Sequence, residues 1–211
     1  AEIILSILLP AYNYVEGIEK IFNQLDLLAI PFLWHRIEIV VMDDSTDNNV
    51  EIQMKGIVDT IKCVRYVRNN AAGGPCKNWN MLIQNAQGKY YILMHHDEFP
   101  LTKDFISEVL QHIEKNNDVD MIMMDCILMS KSTNSLRRHI PSFMRRKVYD
   151  LFPEYLFCRN VIGPTAALII KKSLHFNFDC QLTWLIDVDN YYQLRKKIST
   201  WVFSEHLKIC F

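Results

Sequence analysis

Four consecutive residues able to bind a metal or move a proton stand together in this chain: His95, His96, Asp97 and Glu98. They end the apolar run Tyr90-Tyr91-Ile92-Leu93-Met94. Strand ends of α/β sheets are where ligands sit. One carboxylate, completed by diphosphate oxygens and water, is the usual way Mg2+ or Mn2+ is held. A carboxylate of this run could hold such a cation; the alternative is that these are solvated loop polars, against which stands the abrupt switch from apolar strand to acids. Alternation along a strand would point His95 and Asp97 one way and His96 and Glu98 the other, which argues against all four clasping one zinc ion. A second apolar run, residues 37–42, ends in Asp43 and Asp44. Adjacent carboxylates repel unless cations, donors or solvent compensate. The pair either accepts hydrogen bonds from a base or ribose or helps start the next helix, which Asp47 is expected to cap. Two acid-tipped strands point to a site for a nucleoside diphosphate.

Asp187 and Asp189 lie in a run that reads as one helix over residues 179–197. They stand about 200° apart on a helical wheel, so one of them faces a given cleft. Asp187 shares its stripe with Thr183, Trp184 and Tyr191. A general base works best partly desolvated beside an aromatic wall, which favours Asp187. Gly73-Gly74 allows close approach of backbone to a ligand or a plain turn; it matches neither a dinucleotide fingerprint nor a P-loop. Arg137-Arg138-His139 and Arg145-Arg146-Lys147 make the stretch 130–147 basic and aperiodic. It reads as a flexible segment, either a solvated loop or a lid reaching a diphosphate or a phospholipid headgroup.

The elements that must position these residues follow from periodicity. Strands are expected at residues 3–9, 37–42, 63–67, 90–94, 119–129, 166–170 and 200–203. Helices are expected at 14–30, 48–61, 76–87, 103–115 and 179–197, with a short one at 151–159. Pro31 and Gly88 serve as stops and Thr102 as an N-cap. Strand and helix alternate through the first half, the pattern of a mostly parallel sheet covered on both faces.

The chain has 211 residues, half of them hydrophobic, enough for one α/β domain with a sizeable core. A formal net charge of -1 gives no general attraction to nucleic acid. Six scattered cysteines, none in a CxxC pair, read as free or buried thiols of a reducing compartment. No apolar run approaches the roughly 20 residues of a membrane span, and the opening segment lacks the basic flank of a secretory signal. A cytoplasmic protein is expected, with peripheral contact at the inner face of the membrane as an option.

In order, the pieces resemble the inverting glycosyltransferases of family 2, with the GT-A fold. Leu9-Pro10-Ala11-Tyr12-Asn13 is similar to that family's first strand end, and Asp43-Asp44-Ser45-Thr46-Asp47 to its DDGSTD element. Gly73-Gly74 through Asn78-Trp79-Asn80 resembles the helix before its DxD strand, and His95-His96-Asp97-Glu98 takes the DxD place. Leu185-Ile186-Asp187-Val188-Asp189 resembles the acceptor-side helix. The resemblance implies one GT-A domain over residues 1–211, with a nucleotide-sugar half (1–98) and an acceptor half (99–211). It implies that Pro10, Ala11, Tyr12, Asn13, Asp43, Asp44, Gly74, Asn80, His95, His96 and Asp97 bind the nucleotide sugar. Asp97 would hold Mn2+ or Mg2+, and Asp187 would deprotonate the acceptor hydroxyl. Gly163, Pro164, Thr165 and Trp184 would shape the acceptor site. The donor would be a UDP-, GDP- or dTDP-sugar, and the acceptor a glycan or lipid-linked saccharide of surface polysaccharide synthesis. Two other readings remain: a sugar nucleotidyltransferase, disfavoured because Pro10-Ala11-Tyr12-Asn13 is not a glycine-rich basic loop, and a non-catalytic glycan- or partner-binding relative.

Overall fold

The computed structural model describes residues 2–69, 73–116, 118–129 and 135–211. Strands β1 (Leu5–Ala11), β2 (Ile37–Asp43), β3 (Val64–Arg68) and β4 (Tyr90–Leu93) alternate with helices α1 (Val15–Leu25), α2 (Asn49–Thr60) and α3 (Pro75–Asn85). Then come β5 (Phe99–Pro100), α4 (Phe105–Lys115), β6 (Met121–Met129), β7 (Leu136–Arg138), α5 (Ser142–Leu151), β8 (Leu168–Lys171), α6 (Ile186–Lys197) and β9 (Trp201–Cys210). One sheet runs β3-β2-β1-β4-β8-β6-β9-β5, with β7 added to β6. The β3 to β4 half is parallel. β8 is antiparallel to both β4 and β6, and β9 runs parallel to β6. The chain steps outward from β1 to β3, then returns to lay β4 on the other side of β1. Such a reversal of strand order opens a crevice at the carboxyl ends of the strands.

Period-two patterning divides the core between the two faces. Leu5, Ile7 and Leu9, with Ile37, Ile39 and Val41, meet Ile18 and Ile21 of α1, Met54 of α2 and Val109 of α4. Leu8, Val40, Met42, Tyr91 and Leu93 meet Leu82 of α3, Tyr149 of α5 and Tyr191 of α6. At the amino ends of the strands a buried polar knot fixes the register. The Ser6 hydroxyl donates to Glu38 (2.6 Å), Arg65 pairs with the same carboxylate (2.8 Å), and the Gly88 N–H donates to Ser6 Oγ (2.8 Å). A Cβ on Gly88 would stand 2.7 Å from the Ser6 backbone nitrogen. Gly88→Ala is therefore expected to destabilise the fold by about 1–3 kcal/mol, the usual range for overpacking, read as a lower urea midpoint at unchanged slope.

Several boundaries differ from the sequence expectation. α1 stops at Leu25, where Asp26 turns left-handed (φ 47°); Pro31 opens a short 3-10 turn. α3 ends at Asn85, ahead of Gly88. Thr102 does not cap α4; its hydroxyl donates to Glu108 (3.2 Å) and the helix begins at Phe105. The closing strand extends to Cys210 because β6 pairs with it along most of its length. The stretch expected to be flexible carries β7 and α5. Arg145 is buried there rather than solvated, beside Asp125 and donating to the Ile162 carbonyl (2.5 Å). Residues 130–134 of that stretch lie outside the described residues. The free-thiol reading also needs correction: Cys76 and Cys180 form a disulfide, while Cys63, Cys126, Cys158 and Cys210 are free. The Asn80 amide exchanges hydrogen bonds with the backbone of Phe178 (2.9 and 2.8 Å), which brings Cys180 beside the first turn of α3. No helix among the described residues is long and apolar enough to cross a membrane.

Candidate active site

Beyond Leu93 the chain leaves the sheet and turns. The Glu98 N–H donates to the His95 carbonyl (3.0 Å). The turn overrides strand alternation and pairs the side chains differently from the expectation. His95 and Glu98 face one cavity; His96 and Asp97 face another. Glu98 is buried and acts as a brace. It accepts from the His95 N–H (3.1 Å), the Thr165 hydroxyl (3.3 Å) and the Ala166 N–H (3.1 Å), and its other oxygen lies 3.1 Å from His95 Nδ1. This joins the end of β4 to the segment leading into β8.

The first cavity, of about 350 Å3, is a cleft lined by Trp79, His95, Pro164, Thr165, Trp184 and Asp187, among others. Trp184 stands at its edge with 80% of its surface exposed. Burial works to lower the His95 pKa, but the carboxylates of Glu98, Asp97 and Asp187 outweigh it, and the net shift is upward from the usual imidazole value. His95 Nε2 is shielded and without a partner, and the ring meets Trp79 edge-on.

Asp187 sits in the first turn of α6, half-buried, on the cleft. The helix begins at Ile186, not residue 179, because the Asp179 carboxylate takes the Gln181 N–H (2.9 Å) in an Asx turn that diverts the backbone. Asp189 faces away and accepts from Gln193 (3.2 Å). Asn160 donates to Asp187 Oδ2 (3.1 Å). Gly163, at φ +100°, lies behind the cleft, and its carbonyl accepts from Asn160 and from the Tyr191 hydroxyl.

At the ends of β1 and β2 the two adjacent acids separate in role. Asp43 is fully buried and saturated, accepting from the Ser45 N–H, the Tyr66 hydroxyl (2.7 Å) and Arg68 (2.8 Å). Burial first, then the hydrogen bond to Asp43, pushes the Tyr66 pKa up to about 12. Asp44 keeps one carboxylate oxygen without a partner. Asn13, left-handed at φ 50°, is stapled to β2: its N–H donates to Ser45 Oγ (2.8 Å) and its side chain exchanges bonds with Thr46. The neighbouring Tyr12 ring is 60% exposed, while Ala11 is buried and Pro10 half-buried within β1. Gly74 heads α3 at φ +82°, and Asn80 is committed to Phe178.

Asp97 is exposed and, among the described residues, has no hydrogen bond or ion pair. It shares its cavity with His96, Tyr14 and Lys20. Among the described residues no three His, Cys, Asp or Glu side chains form a metal cluster. A single free carboxylate fits a cation that takes its remaining oxygens from a diphosphate and water. Sequence reasoning named Glu98 without assigning it the bracing role, and missed Trp79 and Asn160 as site residues. Glu98 was visible as the last acid of its run, and Trp79 lay in a quoted motif. Asn160 carries no local signal, since its partner is 27 residues away.

The family model described as "Glycosyl transferase family 2" matches residues 6–188. An uncharacterized glycosyltransferase of Haemophilus influenzae is 30% identical over 115 residues, 54% of this chain and 44% of its own length. The poly(ribitol-phosphate) β-N-acetylglucosaminyltransferase TarS of Staphylococcus aureus is 29% identical over 121 residues, 56% of this chain and 20% of its own. The chain thus spans less than half the length of these curated relatives. Among solved structures, TarS residues 1–349 with UDP-GlcNAc superpose with a TM-score of 0.73 at 16% identity, covering 99% of this chain and 59% of that one. A mannosyltransferase of Pyrobaculum calidifontis, solved with GDP-Man and Mn2+, gives 0.70 at 14% identity, covering 100% and 57%. The crevice at the reversed strand order, the cleft beside it and the match over residues 6–188 agree: the chain belongs to glycosyltransferase family 2 and has the GT-A fold.

Proposed function

We propose that the protein is an inverting glycosyltransferase that moves a sugar from a nucleoside-diphosphate sugar to an acceptor hydroxyl. The observation that carries this reading is Asp187, a half-buried carboxylate held by Asn160 on the cleft that also contains His95 and the aromatic walls Trp79 and Trp184. In the reaction Asp187 takes the proton of the acceptor hydroxyl. The acceptor oxygen bonds the anomeric carbon as the carbon–oxygen bond to the diphosphate breaks on the opposite face, and the bonding pair leaves with the diphosphate. One displacement from the opposite face inverts the anomeric centre.

The ends of β1 and β2 would take the nucleoside. Asp44, with an unpartnered oxygen, suits an N–H of the base, and the exposed Tyr12 ring offers a stacking surface. Asp43 would act indirectly, by fixing the Ser45 and Arg68 geometry around that edge. Asp97 would hold Mn2+ or Mg2+, which when bound offsets the charge of the leaving diphosphate. Pro164, Thr165 and Trp184 would border the acceptor, with Gly163 supporting that loop. A saccharide acceptor, free or lipid-linked, is supported by the polymer in the name of the TarS relative. A cytoplasmic place at the membrane face remains part of this proposal.

The test is turnover of UDP-GlcNAc and GDP-Man with Mn2+, with water as the surrogate acceptor. The expected result is nucleoside diphosphate release and, by early proton NMR, free sugar of inverted anomeric configuration. Retained configuration would contradict the single-displacement chemistry.

A further inference from the structure

The side chain that holds Asp187 is itself held from several directions. Asn160 Oδ1 accepts from the Ile162 N–H (3.0 Å) and the Gly163 N–H (2.9 Å), so its NH2 group must face away from them. That NH2 donates to the Gly163 carbonyl (3.0 Å) and to Asp187 Oδ2 (3.1 Å). The amide cannot be flipped without losing these bonds, since an amide oxygen accepts and its nitrogen only donates. The loop around it is fixed in turn. Fully buried Arg145 donates to the Ile162 carbonyl, the Tyr191 hydroxyl donates to the Gly163 carbonyl, and His139 Nε2 lies 3.2 Å from the Asn160 carbonyl. One oxygen of Asp187 is thus occupied from behind, and among the described residues no hydrogen bond is made to Oδ1.

We propose that Asn160 is a positioning residue for the general base: it fixes the Asp187 carboxylate with Oδ1 toward the acceptor. The proposal rests on the transferase reading given above and extends it to a residue outside the cleft lining. A base misplaced by about 1 Å can lose roughly 100-fold in rate. The other ionisable groups around Asp187 are His95 and Glu98 across the cleft and Tyr191 on the same helix. Asp189 points away toward Gln193, and Arg159 beside Asn160 is exposed. Changing Asn160 leaves all of these in place.

Asn160→Ala and Asn160→Asp both remove the donor that meets Asp187. Asn160→Asp keeps an acceptor for the Ile162 and Gly163 N–H groups but loses the bond donated to the Gly163 carbonyl. The experiment is kcat and KM for UDP-GlcNAc and GDP-Man, with a urea denaturation curve for each variant. The expected result is kcat down by about 10–100-fold in both variants, with donor KM within about twofold. Unchanged kcat in both variants would overturn the positioning role. A fall in kcat matched by a rise in donor KM would overturn it too, because a collapsed loop moves both. A folded wild-type protein that turns over neither donor would overturn the transferase reading alone.

Discussion

Asp187→Asn is expected to lower sugar transfer by about 10^2–10^4-fold, the usual contribution of a positioned general base, while leaving nucleoside diphosphate affinity within about twofold. Asparagine preserves the volume and the approach of the Asn160 amide but accepts no proton. Steady-state turnover of the donor, set beside calorimetric titration of the diphosphate, checks both halves. Asp189→Asn is the matched control, because Asp189 is turned away from the cleft toward Gln193; its turnover should stay near the wild-type value. Equal losses in the two variants would mean that the acids act through the helix terminus rather than through one proton transfer.

Asp125→Leu is expected to be among the most damaging single changes for stability. Asp125 and Arg145 are both fully buried, 3.5 Å apart, and Arg138 closes over the same carboxylate at 2.7 Å. Removing one partner of a buried pair strands the other charge, which typically costs about 3–5 kcal/mol. Two nitrogens of Arg145, Nε and Nη1, already lack a hydrogen bond, so there is no reserve of partners for the stranded guanidinium. Urea denaturation monitored by circular dichroism should show the fall in midpoint. Arg138→Ala, which removes the half-exposed partner, should cost far less, near the roughly 0–1 kcal/mol of an exposed pair. Because Arg145 also anchors the Ile162 carbonyl, any Asp125→Leu protein that folds should show impaired turnover at Asp187 as well.

What the sequence revealed and what it hid divide along the range of the interactions. The parallel half was legible because β1, β2 and β4 are short apolar runs, the last two followed by titratable residues, and α1 to α3 fall between them with ordinary spacing. The placement of Asp44 at a strand end was legible for the same reason, whereas Asp187 and Trp184 share a cleft although Trp184 precedes α6, so helical periodicity does not account for it. The rest depends on partners far along the chain. Arg145 reads as solvent-facing in a basic stretch, yet Asp125, 20 residues before it, draws it into the interior and turns the stretch into α5. The Asp179 carboxylate shortens α6 by an Asx turn that its apolar pattern does not register. The Cys76–Cys180 bond spans 104 residues, and no local spacing announces it. The pairing of His95 with Glu98 and of His96 with Asp97 came out opposite to strand alternation because the strand ends two residues before His95 and the backbone turns.

The most direct test of the account is calorimetric titration of the protein with UDP, GDP and dTDP, each with and without Mn2+. The expected result is saturable binding of at least one of these diphosphates, strengthened by Mn2+ and losing that strengthening in Asp97→Ala. Absence of binding by all three, in a protein shown to be folded, would contradict it.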